Sequence, residues 1–207
     1  MNKKRLLIIF VKNPELGKCK TRLAATIGDE KALAFYKNML RRTKDVAEQV
    51  NADKAIYYSS FIDRNDLWSS EAPFYKSLQD QNPDLGIKMQ SAFVEAFNAG
   101  YESVCIIGSD CYALDENVIE KAFEALRTQD VVMGPSNDGG YYLLGMNRII
   151  PEVFTNKKWS TESVASDTIQ DLKNLNLDYT LLEELTDIDT EEDLKSIPDA
   201  IIKQLLR

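Results

Sequence analysis

The sequence predicts an α/β protein whose sheet is largely parallel and covered by helices on both faces. Three features predict it. Short apolar runs alternate with helical stretches along the 207 residues. The run Val104-Cys105-Ile106-Ile107 is apolar without alternation, as in a strand buried on both faces. That run stops at Gly108-Ser109-Asp110, so a carboxylate stands at a strand end, where open α/β sheets bind their ligands.

The elements follow in order. Arg5–Val11 reads as a first strand and Lys12–Arg22 as a loop with Pro14 and Gly17. Asp29 to about Val50 reads as a long amphipathic helix, with Leu33, Tyr36, Leu40, Val46 and Val50 near one face. Lys54–Ser59 is a second strand and Phe74–Leu78 a short third. Leu85–Ala99 is helical, with Met89, Phe93 and Phe97 in one row and Gly100 at its C-cap. After the strand Ser103–Ile107 come a helix at Glu116–Leu126 and strands at Asp130–Met133 and Tyr141–Met146. A helix from Glu162 to about Leu175, a strand at Tyr179–Leu182 and a helix over Glu191–Leu206, interrupted at Pro198, complete the reading.

Length predicts one domain, and a hydrophobic fraction of 44% supplies its core. The formal charge of −8 argues against nucleic acid as a partner. Basic residues gather early (Lys12, Lys18, Lys20, Arg22) and acidic ones late (Glu183, Glu184, Asp187, Asp189, Glu191, Glu192, Asp193), a pattern suited to a small anionic ligand. Three scattered cysteines make neither a disulfide framework nor a zinc knuckle, and they predict reduced thiols in a cytoplasm. Leu6–Val11 follows basic residues but is cut by Lys12, so it reads as a strand rather than a signal peptide; no stretch is long enough to span a membrane. Histidine is absent, which excludes Ser-His-Asp triads and histidine-held zinc or iron. Chemistry here falls to carboxylates, Lys, Arg, Tyr or a hard cation held by oxygen.

Five segments are candidates for that chemistry, each with a plainer reading. Lys12 to Leu23 holds Gly17, Lys20 and Arg22 and either cradles a diphosphate or is a solvated basic turn; it is neither a Walker A loop nor a dinucleotide fingerprint. Asp110, beside Ser109, either holds Mg²⁺ or Mn²⁺ or caps the next turn. Asp115 reads as a helix cap. Gly134-Pro135-Ser136-Asn137-Asp138-Gly139-Gly140-Tyr141 either lets a ligand approach, with Asp138 as base or sugar contact, or is a hairpin turn. In Asp187-Ile188-Asp189-Thr190, Asp189 is a second metal ligand or the segment opens a helix, with Thr190, Glu192 and Asp193 as cap and first turn. Trp159 is core or a sugar platform, and Ser160 or Thr161 caps the following helix.

Taken together, the basic loop with Lys-x-Arg-Leu, Gly-Ser-Asp-Cys, Gly-Pro-x-x-Asp-Gly-Gly-Tyr-Tyr-Leu-Leu-Gly, Trp-Ser-Thr and Asp-Ile-Asp-Thr-x-x-Asp-Leu resemble the small bacterial glycosyltransferases of GT-A fold. That family includes nucleotide-diphospho-sugar transferases and members associated with arsenosugar biosynthesis. The resemblance runs from about Leu7 to Leu194, and Asp84-Leu85-Gly86, Met89 and Ala92-Phe93 fit it too. Tyr112 and Glu191 stand where the family usually has proline.

The resemblance implies a single GT-A-like domain over residues 1–207, a three-layer α/β/α sandwich. It implies a nucleotide-sugar donor, a small-molecule acceptor and divalent Mg²⁺ or Mn²⁺. Phosphates fall to Lys12, Gly17, Lys20, Arg22 and Ser109; the metal to Asp110 and Asp189; the sugar and acceptor to Gly139, Gly140, Tyr141 and Trp159, with Asp138 as the catalytic carboxylate. The same core occurs in nucleotidyltransferases, so transfer of a nucleotidyl group is the alternative, and a non-catalytic nucleotide-sugar-binding protein a third. Monomer and homodimer are both open.

Overall fold

A computed structural model describes residues 4–68 and 73–206. Its centre is a seven-stranded sheet in the order β3-β2-β1-β4-β6-β5-β7. The strands are β1 (Arg5–Val11), β2 (Asp53–Tyr58), β3 (Phe74–Leu78), β4 (Ser103–Ile107), β5 (Val131–Pro135), β6 (Tyr141–Met146) and β7 (Tyr179–Leu181). β6 lies antiparallel to both β4 and β5, and every other pairing is parallel. The predicted fold class is therefore the observed one.

Alternation along each strand explains why both faces are covered. Leu7, Ile9, Ile56, Cys105 and Ile107 point to one layer with Tyr36, Leu40 and Val46 of α2 (Asp29–Gln49) and Ile119 and Phe123 of α4 (Glu116–Ala125). Leu6, Ile8, Val104 and Ile106 point to the other with Met89 and Phe93 of α3 (Leu85–Asn98) and Leu172 of α5 (Val164–Asn174).

A third cluster was not legible as one apolar stripe. Phe35 and Met39, on a second face of α2, pack with Leu23 of α1 (Thr21–Ile27), Ile188, Leu194, Ile197 and Leu205 of α6 (Asp199–Leu205). Residues 188–205 thus return across the molecule and clasp the first two helices. The predicted helix over Glu191–Leu206 is shorter: a 3₁₀ turn at Asp193–Ser196, a break at Pro198, then α6.

The chain builds β1, β2 and β3 outward and then returns to place β4 on the other side of β1. The loops after β1 and β4 therefore diverge at the sheet's carboxyl edge, the switch point where such sheets leave a crevice.

Candidate active site

A cleft of about 1200 Å³ lies at that edge. Its lining includes the charged residues Lys12, Lys20, Arg22, Lys88, Asp110, Asp138, Glu162, Asp187 and Asp189. Apolar and aromatic surface comes from Phe10, Leu85, Met89, Ile106, Tyr141 and Trp159.

The loop after β1 is held from below. The Tyr36 hydroxyl accepts from the Lys12 amide at 2.8 Å and donates to the Lys12 carbonyl at 3.1 Å. Buried Asn13 accepts from the amides of Ser60 and Phe61, and its own amide donates to Ser59 Oγ at 3.3 Å. The Lys12 and Asn13 amides are thus already bonded within the protein. Gly17 does not line the cleft. Its φ of +72° serves a tight turn in which Lys18 N bonds Glu15 O at 3.1 Å.

Lys20 opens α1 in the left-handed region, φ 49° and ψ 46°. Its side chain is only 4% exposed, and its Nζ lies 2.6 Å from Asp110 Oδ1 and 2.9 Å from Asp189 Oδ1. Arg22 also pairs with Asp189. Burial alone would lower the Lys20 pKa, but Asp110 and Asp189 outweigh it and raise it. Burial likewise works against charge on Asp189, and Lys20 and Arg22 reverse this, leaving its carboxyl below the usual range. The sequence-predicted Lys20, Arg22, Asp110 and Asp189 are therefore brought together.

Ser109 is buried beneath Asp110, its hydroxyl 3.2 Å from Tyr36 Oη. Asp138 sits in the β5–β6 hairpin and accepts from Gly140 N at 3.0 Å, so this segment is both a hairpin turn and part of the cleft wall. Gly140, Tyr141 and Trp159 line the cleft as well. Gly139 does not; at φ +84° it touches the backbone of Glu162, and a Cβ there would fall 2.1 Å from Glu162 O.

Two predicted caps differ from the structure. Neither Ser160 nor Thr161 caps α5, which starts after Ser163 with no side-chain cap; Thr161 Oγ1 instead donates to Lys158 O at 2.7 Å. Thr190 caps no helix. The Asp193 carboxylate turns back to accept from the amides of Asp189 and Thr190 and from the Thr190 hydroxyl, fixing the loop that carries Asp189. Asp115 does cap α4, accepting from Val118 N at 2.9 Å. Tyr112, one of the departures from the resembled family, points away from the cleft: the Arg42 guanidinium lies 4.5 Å from its ring centre.

Asp187 is the site residue missed by the reading of single carboxylates. In the extended segment Asp187-Ile188-Asp189, Ile188 is fully buried, so its two neighbours turn together to the cleft. Burial, with the charges of Asp110 and Asp138 facing it, pushes the Asp187 carboxyl up to about 7. That period of two was the signal available in the sequence. Burial, with Asp187 next, pushes the Cys111 thiol up to about 12, which disfavours its thiolate.

Asp110, Asp187 and Asp189 present only carboxylate oxygens, a donor set suited to Mg²⁺ or Mn²⁺. Among the described residues no three acidic or sulfur side chains stand together as a ready ligand set, and Lys20 supplies the cation between two of these carboxylates.

The architecture recurs in solved structures. A "putative nucleotide-diphospho-sugar transferase" from Desulfovibrio desulfuricans G20 superposes with a TM-score of 0.85 at 29% identity, over 96% of this chain and 87% of that one. A 4-diphosphocytidyl-2C-methyl-D-erythritol synthase from Anaerococcus prevotii DSM 20548 gives 0.59 at 13% identity, over 98% of this chain and all of the other. A manganese complex of Rv0371c from Mycobacterium tuberculosis H37Rv gives 0.58 at 10% identity, over 95% and 98%. The last two likenesses are of fold alone. No curated protein matches the sequence. The expected GT-A-like architecture of nucleotide-diphospho-sugar transferases is thus the fold of this chain. A family model matches residues 41–161, and the chain belongs to that family, described as "Uncharacterized protein conserved in bacteria (DUF2064)".

Proposed function

We propose that the protein is a glycosyltransferase that moves a sugar from a nucleoside-diphosphate sugar to a small-molecule acceptor, acting as one domain over residues 1–207. The observation that carries this is the meeting of Lys20 and Arg22 with Asp110 and Asp189 at the switch point of the sheet. The likeness at 29% identity to a protein named for such a transfer supports it. Free, buried Cys19, Cys105 and Cys111 suit a reducing compartment such as the cytoplasm, and among the described residues no helix is long and apolar enough to cross a membrane.

In this reading Lys12, Lys20 and Arg22 bind the diphosphate and neutralise the charge that grows on it as the glycosidic bond breaks. Asp110 and Asp189, with Asp187 beside them, hold Mg²⁺ or Mn²⁺. When bound, the cation supplies Lewis-acid stabilisation of the leaving diphosphate. Trp159 and Tyr141 offer aromatic faces to a sugar, and the hairpin carries Asp138 to its hydroxyls, where a carboxylate serves as contact or base in a chain without histidine.

Thermal shift with a panel of nucleoside-diphosphate sugars and nucleoside triphosphates, with and without Mn²⁺, tests this. Metal-dependent stabilisation by one or more of the sugars is expected. A response to triphosphates alone would replace sugar transfer with nucleotidyl transfer. Silence across the panel would remove both.

A further inference from the structure

Lys20 is placed at a conformational cost. It is the only charged residue among the described non-glycine positions with positive φ; the others are Asn156, Ser160 and Asn176. Such a backbone persists where its surroundings over-determine it. Here the determinants are two ion pairs on one buried nitrogen, at 2.6 Å to Asp110 and 2.9 Å to Asp189.

We propose that the Lys20 ammonium is a built-in counter-cation of the metal site, and that a divalent cation takes Asp110 and Asp189 only as this ammonium leaves for an incoming diphosphate. This rests on the reading of the site given above. The two carboxylates converge on one nitrogen as they would on a hard cation, so ammonium and metal compete for the same oxygens. A dication entering beside a fixed ammonium would meet like charge in a partly water-excluded site.

Lys20 also cannot simply retreat to water. Its side chain is 4% exposed, against 68% for Arg22, so its next partner must come to the cleft. An anion with several oxygens supplies that partner. The nucleotide diphosphate and the metal therefore favour each other: each makes room or charge for the other, and the coupling is reciprocal. Without nucleotide, the metal site is held shut.

Equilibrium dialysis of the full chain with Mn²⁺ alone tests the exchange. Lys20→Met keeps the length of the side chain without its charge, and Lys20→Gly also relieves the left-handed backbone; circular dichroism checks the fold of each. Both are expected to bind Mn²⁺ at least about tenfold more tightly than the unaltered protein, with the gain erased by adding Asp110→Asn. Equal or weaker Mn²⁺ binding by the Lys20 variants overturns the exchange and leaves the metal assignment standing. Absence of Mn²⁺ binding in all of them overturns both.

Discussion

The Tyr36 hydroxyl stands 3.2 Å from the Ser109 hydroxyl, joining the loop after β1 to the turn after β4 at the cleft. The phenol also holds both the amide and the carbonyl of Lys12. One buried oxygen therefore fixes the spacing between the basic loop and the turn bearing Asp110.

Tyr36→Phe keeps the ring in the core and removes that oxygen. The Lys12 amide loses its acceptor, which costs about 1–3 kcal/mol. Urea denaturation should show a loss in that range. Nucleotide-sugar affinity should fall with it, since Lys12 and Ser109 are no longer tied to a common group.

Asp110→Asn should fold normally, because Asp110 is a cleft residue with its side chain 42% exposed. Metal-dependent nucleotide binding should be lost, and turnover should drop by roughly a hundredfold or more, as expected when a group that stabilises transition-state charge is removed. Calorimetric titration with Mn²⁺ and nucleotide checks this; unchanged binding would exclude Asp110 from the metal site.

The Asp187 carboxyl titrates near 7 in the folded protein, well above the ordinary carboxylate range. Between about pH 4 and 7 the folded state therefore holds more protons than the unfolded one, and stability falls as pH rises through that window. Above pH 7 the loss is complete. Asp187→Asn removes it, so without added metal the variant should be more stable than the unaltered protein at pH 8 by about 1–2 kcal/mol, an amount below the full linkage because the group is partly hydrated. Near pH 4 the two should match. Urea melts at both pH values measure the difference.

Gly139→Ala places a methyl 2.1 Å from Glu162 O at a φ of +84°, so the β5–β6 hairpin and the chain leading into α5 must separate. A loss of about 2 kcal/mol or more is expected, with a lower Tm. Gly108→Ala is the control: a Cβ there meets nothing within 4 Å, and Tm should hold.

The central strands were legible because β1, β4, β5 and β6 are local apolar runs, and Asp110 was legible because a carboxylate just past such a run has few places to go. The short helix α1 escaped notice. It begins inside the basic loop, and Lys20 at its N-cap makes no side-chain cap bond, so neither composition nor capping residue marks it. Asp187 was harder to single out because its direction depends on Ile188. That residue is buried in a cluster with α6 and with α1 and α2, which lie more than a hundred residues earlier in the chain. Gly17 and Gly139 divide in the same way. Both glycines meet a backbone need: the turn at Gly17 was legible in the sequence, whereas the close contact of Gly139 with Glu162 appears only in the fold.

The segment that clasps α1 and α2 also brings two carboxylates to the cleft, Asp187 and Asp189. A chain made only as far as β7 would possess all seven strands and the basic loop, yet Lys20 would have one of its two anionic partners and Arg22 none. Residues 187–205 thus serve two ends at once: they close the third apolar cluster, and they bring Asp189 to Lys20 and Arg22.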